Sequence, residues 1–357
     1  MTHIAVVGAT GLVGRTMLEV LVERGLADDV RTLASGRSVG SSLEVGGYSW
    51  SVAEATPQAF EGVEIALFSA GADVSRTLAP RAADAGAVVI DNSAAWRMEP
   101  SVPLVVSQVN PDDLATHQGI VANPNCSTMQ LAPLLGALRD AVGLERVIVD
   151  TYQAVSGTGA EAVDEFQAQI EAHVAGTDSQ PHVYAHRIAF NALPEIDVFR
   201  ADGYTNEEWK VIAESRKILH LPDLRVSCTA VRVPVFVGHS EAVHVELKRA
   251  LTADEARRLF AGINGVQIVD DPYAHAYPLA TQAAGTDDIY VGRVRSDASI
   301  ANGRGLAFWV VADNLRRGAA TNAVELAQIL LERGWLRGAR TAGPRAAGAP
   351  RAGSTSA

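Results

Sequence analysis

The chain has 357 residues, of which 48% are hydrophobic and 20% are charged, and its formal net charge at pH 7 is -11. This length suits about two globular domains, and the acidic balance with scattered Lys and Arg residues argues against a nucleic-acid partner. Two cysteines cannot form a disulfide framework, no apolar run approaches the ~20 residues of a membrane span, and the first residues lack the pattern of a secretory signal. We therefore expect a cytoplasmic protein with reduced thiols and no membrane contact.

The first part of the chain alternates apolar runs with helical patterns. Residues 4–7 form a buried-strand pattern, a glycine turn follows, and an amphipathic helix runs to about Gly25. Further apolar runs occur at the spacing expected of strands, at residues 30–35, 64–70, 87–91, 103–109 and 119–124. Helical stretches such as residues 74–85 separate them. This order predicts a doubly wound, Rossmann-like α/β domain over residues 1–126.

After Cys126 the pattern changes to that of a mixed α+β domain. Helices are predicted to about Ala141 and to His173, and strand patterns cover residues 145–157, 226–247, 266–270, 289–297 and 306–314. We expect residues 127–317 to form a catalytic and dimerisation domain with a mainly antiparallel sheet. A final helix, 319–333, is expected to pack on the first domain, so that 318–336 belongs with it. Residues 338–357 are rich in Ala, Gly, Pro and Arg and are predicted to be disordered.

Three glycines follow the first predicted strand. Gly8, Gly11 and Gly14 form G-x-x-G-x-x-G, which differs from the usual G-x-G-x-x-G but lies between a strand and a helix as that motif does. Such a turn lets backbone N–H groups at a helix N-terminus face a pyrophosphate. An ordinary strand-to-helix turn also uses glycine, so the prediction of a dinucleotide site depends on the strand–turn–helix context.

The end of the second predicted strand indicates which dinucleotide binds. An acidic residue there usually binds the free ribose 2'-OH of NAD. This sequence instead has Ser35, Arg37 and Ser38 and no acid. An arginine flanked by hydroxyl groups suits a 2'-phosphate, so we expect NADP(H). The alternative is a solvated basic loop without a ligand.

Cys126 lies between an Asn-Pro-Asn turn and an amphipathic helix that Asn125, Ser127 or Thr128 would cap. The free N–H groups at a helix N-terminus favour the thiolate, which is the nucleophilic form. The alternative is a buried, inert thiol, which is common for free cysteines. That interpretation suits Cys228, in its apolar stretch, better than Cys126.

His239 is the candidate for proton transfer with a nucleophilic cysteine. It follows Gly238, and Arg232 lies seven residues earlier. In a regular strand this odd separation puts Arg232 and His239 on opposite faces, unless Gly238 adds a bulge or bend. The alternative is a structural or surface histidine. His182 and His186 lack the Glu of H-E-x-x-H, so no metal site is predicted.

These segments together resemble the aspartate-β-semialdehyde dehydrogenase family. In the family's order they are GATGLVG (8–14), SAAWRM (93–98), NPNCST (123–128), YQAVSGTG (152–159), EEWK (207–210), RVPVFVGHSE (232–241) and DNLRRGAATNAVELA (313–327). The resemblance spans about residues 3–335, and its most specific part is NPNCST combined with RVPVFVGHSE.

The resemblance implies a reaction. In this family a cysteine attacks aspartyl phosphate, phosphate leaves, and NADPH reduces the thioacyl group to aspartate semialdehyde, a step in lysine, threonine and methionine synthesis. Family members are homodimers or homotetramers. One alternative is an N-acetyl-γ-glutamyl-phosphate reductase, whose cysteine segment differs and whose blocked amine needs no acid such as Glu207. Another is a non-catalytic NADP-binding paralogue, which is expected to lack Cys126, His239 or Gln153, and all three are present.

The resemblance also implies roles for residues around the reacting acyl group. Cys126 is the nucleophile, and His239 is the acid/base group that takes the thiol proton. Gln153 orients the acyl group, and Asn125 lies near the phosphate.

Four charged residues match the substrate ligands of the family. Arg97 and Lys210 match the phosphate ligands, Arg232 matches the arginine that grips the α-carboxylate with both ends of its fork, and Glu207 matches the acid that receives the α-ammonium group. The positions that line NADP in the family correspond to Thr10, Gly11, Leu12, Val13, Ser156, Gly157 and Asn314.

Overall fold

Short apolar segments form the first sheet of the structure, a computed structural model that describes residues 2–336. The first strand, Ile-Ala-Val-Val, is buried on both faces, as is typical of a parallel strand covered by helices on either side. The strands are β1 (Ile4–Val7), β2 (Val30–Ala34), β3 (Ser42–Val45), β4 (Tyr48–Ser51), β5 (Ala53–Glu54), β6 (Ile65–Phe68), β7 (Val88–Asp91) and β8 (Ile120–Ala122). Six pair in parallel in the order β5-β2-β1-β6-β7-β8, and β3 and β4 form a separate hairpin.

The strand order reverses between β1 and β6. Helix α1 (Leu12–Glu23) follows β1, and α2 (Ala72–Asp84) follows β6. In a doubly wound sheet, ligands bind in the crevice at such a reversal, outside the carboxyl ends of the strands. The predicted doubly wound α/β fold is confirmed, and the glycine turn lies at this crevice.

The predicted strand at residues 103–109 is wrong. The segment makes a single parallel bridge, Leu104 to Ala122, beyond β8. The next amides bond to side chains instead of a neighbouring strand: Val106 N–H donates to Asn110 at 2.9 Å and Ser107 N–H to Asn322 at 2.9 Å. An apolar run alone did not distinguish this buried loop from a strand.

The second sheet has six strands in the order β10-β9-β11-β14-β13-β12. They are β9 (Leu144–Gln153), β10 (Arg225–Arg232), β11 (His239–Leu247), β12 (Val266–Ile268), β13 (Ile289–Ser296) and β14 (Gly305–Ala312). The three central pairings are antiparallel, whereas β10 with β9 and β12 with β13 are parallel. The expected α+β second domain is confirmed, and its sheet is mixed, with antiparallel pairings at the centre and a parallel pairing at each edge.

The predicted strand stretch 226–247 divides into two strands on either side of β9. Arg232 ends β10 opposite Gln153, the last residue of β9, and Ser240 in β11 pairs with Tyr152. Arg232, Gln153 and His239 therefore lie at neighbouring ends of three strands. The question of a bulge within one strand does not arise, although Gly238 does turn the chain into β11 with a φ of 102°.

Helices cover both sheets. They are α3 (Cys126–Ala141), α4 (Ala160–Val174), α5 (Asn206–Ile218), α6 (Ala253–Ala261), α7 (Ala280–Ala283) and α8 (Asn322–Glu332). Helix α3 packs in the core of the second sheet through Leu131, Leu134 and Leu135. Helix α8 follows a π-helical turn, Arg316–Thr321, and packs through Val324 and Leu330 into the core around β1.

Residues 338–357, with the predicted disorder, lie outside the described residues. Across residues 2–336, no helix combines the length and the apolar character needed to cross a membrane.

Asn322, at the start of α8, ties this helix to the first sheet. Its buried amide donates to Val105 C=O at 2.9 Å and to the Asn123 side chain at 2.6 Å, and it accepts from Ser107 N–H. We predict that Asn322→Ala lowers the free energy of unfolding by about 3 kcal/mol, because buried polar groups lose their partners. Denaturant titration measures this. Gln328→Ala, on the same helix but partly exposed, is the control; equal effects of the two substitutions would contradict the prediction.

Candidate active site

The nucleophile candidate begins a helix at the carboxyl end of the first sheet. Strand β8 leads through Asn123-Pro124-Asn125 to Cys126, the first residue of α3. Of the three possible caps, Asn125 is the N-cap: its side chain accepts from Ser127 N–H at 2.9 Å and from Thr128 N–H at 3.4 Å. The sulfur therefore lies at the N-terminus of a long, well-capped helix.

Cys126 opens into a cavity of about 280 Å³ where the carboxyl ends of both sheets meet. Asn92 follows β7, Cys126 follows β8, and Gln153 and Arg232 end β9 and β10. The residues predicted from the sequence that line it are Val13, Arg97, Asn125, Cys126, Gln153, Ser156, Gly157, Glu207, Lys210, Arg232 and Asn314. The fold thus brings together almost all predicted catalytic and substrate-binding residues.

Glu207 is the centre of the hydrogen bonds in this cavity. One oxygen accepts from the side chains of Asn125 at 2.8 Å and Gln153 at 3.1 Å, and the other accepts from Lys210 at 3.2 Å. Burial favours the neutral acid, but the Lys210 charge and these hydrogen bonds outweigh it and lower the pKa of Glu207 to about 2. Glu207 is therefore a buried carboxylate that stays ionised.

Helix α5 supplies the charged side of the site. It begins with a capping box between Thr205 and Glu208. Glu207, Lys210 and Glu214 follow at i, i+3 and i+7, which puts them on one face of the helix. Lys210 also pairs with Asp197 at 2.8 Å, so its ammonium group lies between two carboxylates.

Arg97 is fixed by three acceptors. Its Nε donates to Asn123 C=O at 3.0 Å, its Nη2 to Asn92 C=O at 2.6 Å, and its Nη1 to Glu214 at 2.9 Å. The second oxygen of Glu214 accepts from Asn125 N–H at 2.6 Å. Sequence reasoning missed Glu214, although its seven-residue spacing from Glu207 was a usable indication.

The burial of Cys126 opposes the effect of its helix terminus. The residue keeps some exposed surface, but burial of the thiol and the negative charge of Glu207 raise its pKa to about 12. Arg232, Arg97 and a backbone hydrogen bond lower it by less. The sequence predicts a favoured thiolate at this helix N-terminus, but burial outweighs the effect of the helix terminus and the thiol is neutral.

His239 is fully buried behind the residues that line the cavity and does not line it itself. Its Nδ1 accepts from Ala154 N–H at 3.0 Å, and its Nε2 is buried without a hydrogen-bond partner. Gly157 separates it from the cavity, and a Cβ there would be 3.2 Å from Nε2. Burial and the Arg232 charge lower the pKa of His239 to about 3. The ring is therefore neutral, and because Nδ1 is an acceptor, its proton is on Nε2.

A second cavity, of about 740 Å³, lies at the reversal between β1 and β6. Its lining includes the predicted residues Gly8, Thr10, Gly11 and Ser35. Leu12, at the start of α1, and Arg37 and Ser38, in the turn after Ser35, do not line it. Sequence reasoning missed Glu54, from β5, and Asp73 and Thr77, from α2, which do.

The glycine turn has the close backbone approach that a pyrophosphate site needs. A Cβ on Gly8 would be 2.4 Å from Ser69 C=O, and one on Gly14 would be 2.1 Å from Gly8 C=O. Ser69 and Ala70 line both cavities, so the nucleotide cavity leads towards Cys126. The residues present fit a dinucleotide that reaches from the glycine turn to the thiol.

The segment just before α8 contributes Asn314 and Gly318 to the lining of the cavity. The Asn314 side chain bonds to Ser156 Oγ at 3.0 Å and accepts from Gly238 N–H at 2.9 Å, next to His239. In the π-helical turn, a Cβ on Gly318 would be 2.9 Å from the Cys126 Cβ. Sequence reasoning missed Gly318, which leaves room for the cysteine. Among the described residues, no His, Cys, Asp and Glu side chains cluster as metal ligands.

The doubly wound nucleotide domain and the second sheet, with Cys126 between them, each match a family model of the semialdehyde dehydrogenases. A family model described as "Semialdehyde dehydrogenase, NAD binding domain" matches residues 3–117. A second, described as "Semialdehyde dehydrogenase, dimerisation domain", matches residues 135–317.

Comparison with individual proteins shows which of the semialdehyde dehydrogenases the chain is similar to in sequence and structure. The chain is 48% identical over 339 residues to an aspartate-semialdehyde dehydrogenase of Aquifex aeolicus, which covers 94% of this chain and 99% of that one. It is 48% identical over 337 residues to one of Bacillus subtilis, covering 92% and 97%. The crystal structure of aspartate semialdehyde dehydrogenase II from Vibrio cholerae, described as complexed with ASA, has a TM-score of 0.89 at 43% identity, covering 93% and 98%. The chain belongs to the aspartate-semialdehyde dehydrogenase family.

The raised pKa of Cys126 predicts how its reactivity depends on pH. Only the thiolate is alkylated, so the rate with iodoacetamide should rise ~10-fold per pH unit from about pH 7 to 10, whereas a free thiol levels off near its pKa of ~8.5. Mass spectrometry of the Cys126 peptide, with Cys126→Ser as the unlabelled control, gives the rate. A plateau near neutral pH would mean that the helix N-terminus outweighs burial.

Proposed function

We propose that this protein catalyses the NADPH-dependent reductive dephosphorylation of L-4-aspartyl phosphate to L-aspartate 4-semialdehyde, within lysine, threonine and methionine synthesis. The observation that carries the proposal is the single cavity that Cys126 shares with Arg97, Lys210, Arg232 and Glu207. A substrate with a phosphate, a carboxylate and an ammonium group needs these three cations and one anion. The names of the relatives favour this activity over an N-acetyl-γ-glutamyl-phosphate reductase or a non-catalytic paralogue.

The residues of the glycine turn and the cavity wall are suited to hold NADP(H). Gly8, Thr10 and Gly11 are assigned to the pyrophosphate end, and Ser156 and Gly157 to the end next to Cys126, on the basis of the two cavities that they line. When bound, NADPH supplies the hydride that converts the thioacyl group into the aldehyde. The 2'-phosphate is assigned to the turn that carries Ser35, Arg37 and Ser38.

Cys126 is assigned as the nucleophile. Its sulfur forms a bond to the β-carbonyl carbon of aspartyl phosphate, the carbon–oxygen bond to the phosphoryl group breaks, and phosphate leaves. Gln153 orients the acyl group, since its amide is held between Thr151 Oγ at 2.9 Å and Glu207 at 3.1 Å. Asn125 lies one residue from the sulfur and is assigned next to the phosphate.

His239 is assigned as the acid/base group, and its hydrogen bonds define how it acts. With Nδ1 occupied by Ala154 N–H, the neutral ring donates from Nε2 and stabilises an oxyanion at that atom. Before Nε2 can accept the thiol proton, its own proton must leave it. The hydrogen bond that Nδ1 accepts from Ala154 N–H must also break. Because His239 does not line the cavity, both the donation to an oxyanion and this proton exchange require ring movement or a bridging water.

Each charged group of the substrate is assigned to its own charged side chains in the cavity. Arg97 and Lys210 are assigned to the phosphate and Arg232 to the α-carboxylate. Glu207, whose low pKa keeps it ionised, is assigned to the α-ammonium group.

We also propose that residues 1–126 with 318–336 form the NADP-binding domain and residues 127–317 the catalytic and dimerisation domain of a cytoplasmic homodimer or homotetramer. The packing of α8 around β1 supports this division. The described "dimerisation domain" at 135–317 supports an oligomer, as does the exposed Tyr152, whose ring lies 5.4 Å from that of Trp309 at a tilt of 45° on the second sheet.

Cys126→Ala tests the nucleophile. In phosphate-dependent NADP reduction with aspartate semialdehyde, or NADPH oxidation with aspartyl phosphate, we expect the rate to fall at least ~1,000-fold, because no thioacyl group forms. Cys228→Ala removes the other thiol, which is buried in the core of the second sheet, and should keep the activity. Full activity of Cys126→Ala would refute the mechanism.

Arg232→Lys tests recognition of the α-carboxylate. Lysine keeps the charge but loses the planar fork, so we expect KM for aspartate semialdehyde to rise about 10-fold. Arg225→Lys, at the opposite and exposed end of β10, is the matched control and should leave KM unchanged. Steady-state kinetics with the aldehyde varied gives both values. An unchanged KM for Arg232→Lys would remove the assigned role.

A further inference from the structure

Glu214 joins two parts of the site that are far apart in the chain. It lies on α5, is 1% exposed, and bonds through Oε1 to Arg97 Nη1 at 2.9 Å. Through Oε2 it accepts from Asn125 N–H at 2.6 Å. Both oxygens of Glu214 therefore have partners. Arg97 is assigned above as a phosphate ligand, and Asn125 caps α3, the helix that begins at Cys126.

The three bonds of Arg97 leave a defined part of its guanidinium free. The group has five N–H donors, and the acceptors on Asn123, Asn92 and Glu214 each take one. One N–H on each terminal nitrogen remains, and Arg97 lines the cavity beside Cys126. Two N–H groups on one rigid, planar fork are suited to two oxygens of a phosphate, provided that the plane of the fork is fixed.

We propose that Glu214 is a positioning residue, which holds the Arg97 fork in the orientation that receives the phosphate group. The two backbone acceptors bond to Nε and Nη2, so the rigid guanidinium plane can still tilt about the line that joins these two atoms, which moves its Nη1 end. Glu214 holds that end from α5, the helix that also carries Lys210, the second assigned phosphate ligand. This inference rests on the proposed function, because it takes Arg97 as a phosphate ligand.

Glu214→Gln separates positioning from general support of the fold. Its amide oxygen can still accept from Asn125 N–H, while its NH₂ group faces Arg97 Nη1, so a donor meets a donor and the fork is displaced. The α3 cap, and with it Cys126, keeps its support. If Glu214 only supported the fold, the substitution would raise KM for phosphate and for the aldehyde together, or would leave both unchanged.

The test is phosphate-dependent NADP reduction with aspartate semialdehyde, varying phosphate and aldehyde separately. For Glu214→Gln we expect KM for phosphate to rise about 10-fold, a loss typical of one misplaced charged contact, with kcat and KM for the aldehyde nearly unchanged. Ser215→Ala is the matched control. It removes a buried hydroxyl without a partner from the next position of α5 and should not alter KM for phosphate.

An unchanged KM for phosphate in Glu214→Gln overturns the inference. So does an equal rise in KM for phosphate and for the aldehyde, together with a lower Tm. In an Arg97→Ala background, Glu214→Gln should have no further effect on KM for phosphate, and an additive effect is equally contradictory. If Glu214→Gln does not fold, Glu214→Asp, one methylene shorter, must show the same selective rise. A wild-type protein that does not reduce NADP refutes the proposed function itself, whereas an active wild type with a non-selective variant refutes only the role of Glu214.

Discussion

The active-site cavity depends on one buried carboxylate. Glu207 accepts hydrogen bonds from Asn125 at the start of α3, from Gln153 at the end of β9 and from Lys210 one turn along α5. A buried carboxylate is costly unless its partners are well placed, and here both oxygens are satisfied. The same charge that holds these donors in place also opposes ionisation of Cys126. The shape of the cavity and the protonation state of Cys126 therefore both depend on Glu207.

Burial determines the protonation states of Cys126 and His239, the proposed nucleophile and acid/base group. Burial is the largest influence on Cys126 and on His239, raising the pKa of the thiol to about 12 and lowering that of the imidazole to about 3. Both groups are neutral. The charges of Arg232 and Arg97 favour the Cys126 thiolate but are outweighed by burial, whereas the Arg232 charge adds to burial in keeping His239 neutral. A neutral thiol reacts slowly with electrophiles and oxidants. In the proposed mechanism, the thiol must therefore lose its proton before the sulfur attacks.

Features that depend on residues close together in the chain could be predicted from the sequence. The glycine turn, a polar cap at Asn125, Ser127 or Thr128 and the strand periods were visible in the sequence because each depends on residues close together in the chain. Pairings over long distances were not: Arg97 and Glu214 are 117 residues apart. The β3–β4 hairpin was missed even though its Gly46-Gly47 turn is a local indication, since both glycines adopt positive φ. At residues 103–109, side-chain acceptors competed for amides that an apolar pattern assigned to a strand.

Asn123 shows why the stability of this protein and the geometry of its site are coupled. Its carbonyl oxygen accepts from Arg97, its side-chain oxygen accepts from Asn322, and its NH₂ group donates to Ala319 C=O in the π-helical turn. The next turn residue back along the chain, Gly318, packs against Cys126. Asn123 therefore connects the start of α8 to Arg97, and Gly318 connects the preceding turn to Cys126. The C-terminal helix is a structural part of the site, because the site lies where this returning segment meets the ends of both sheets.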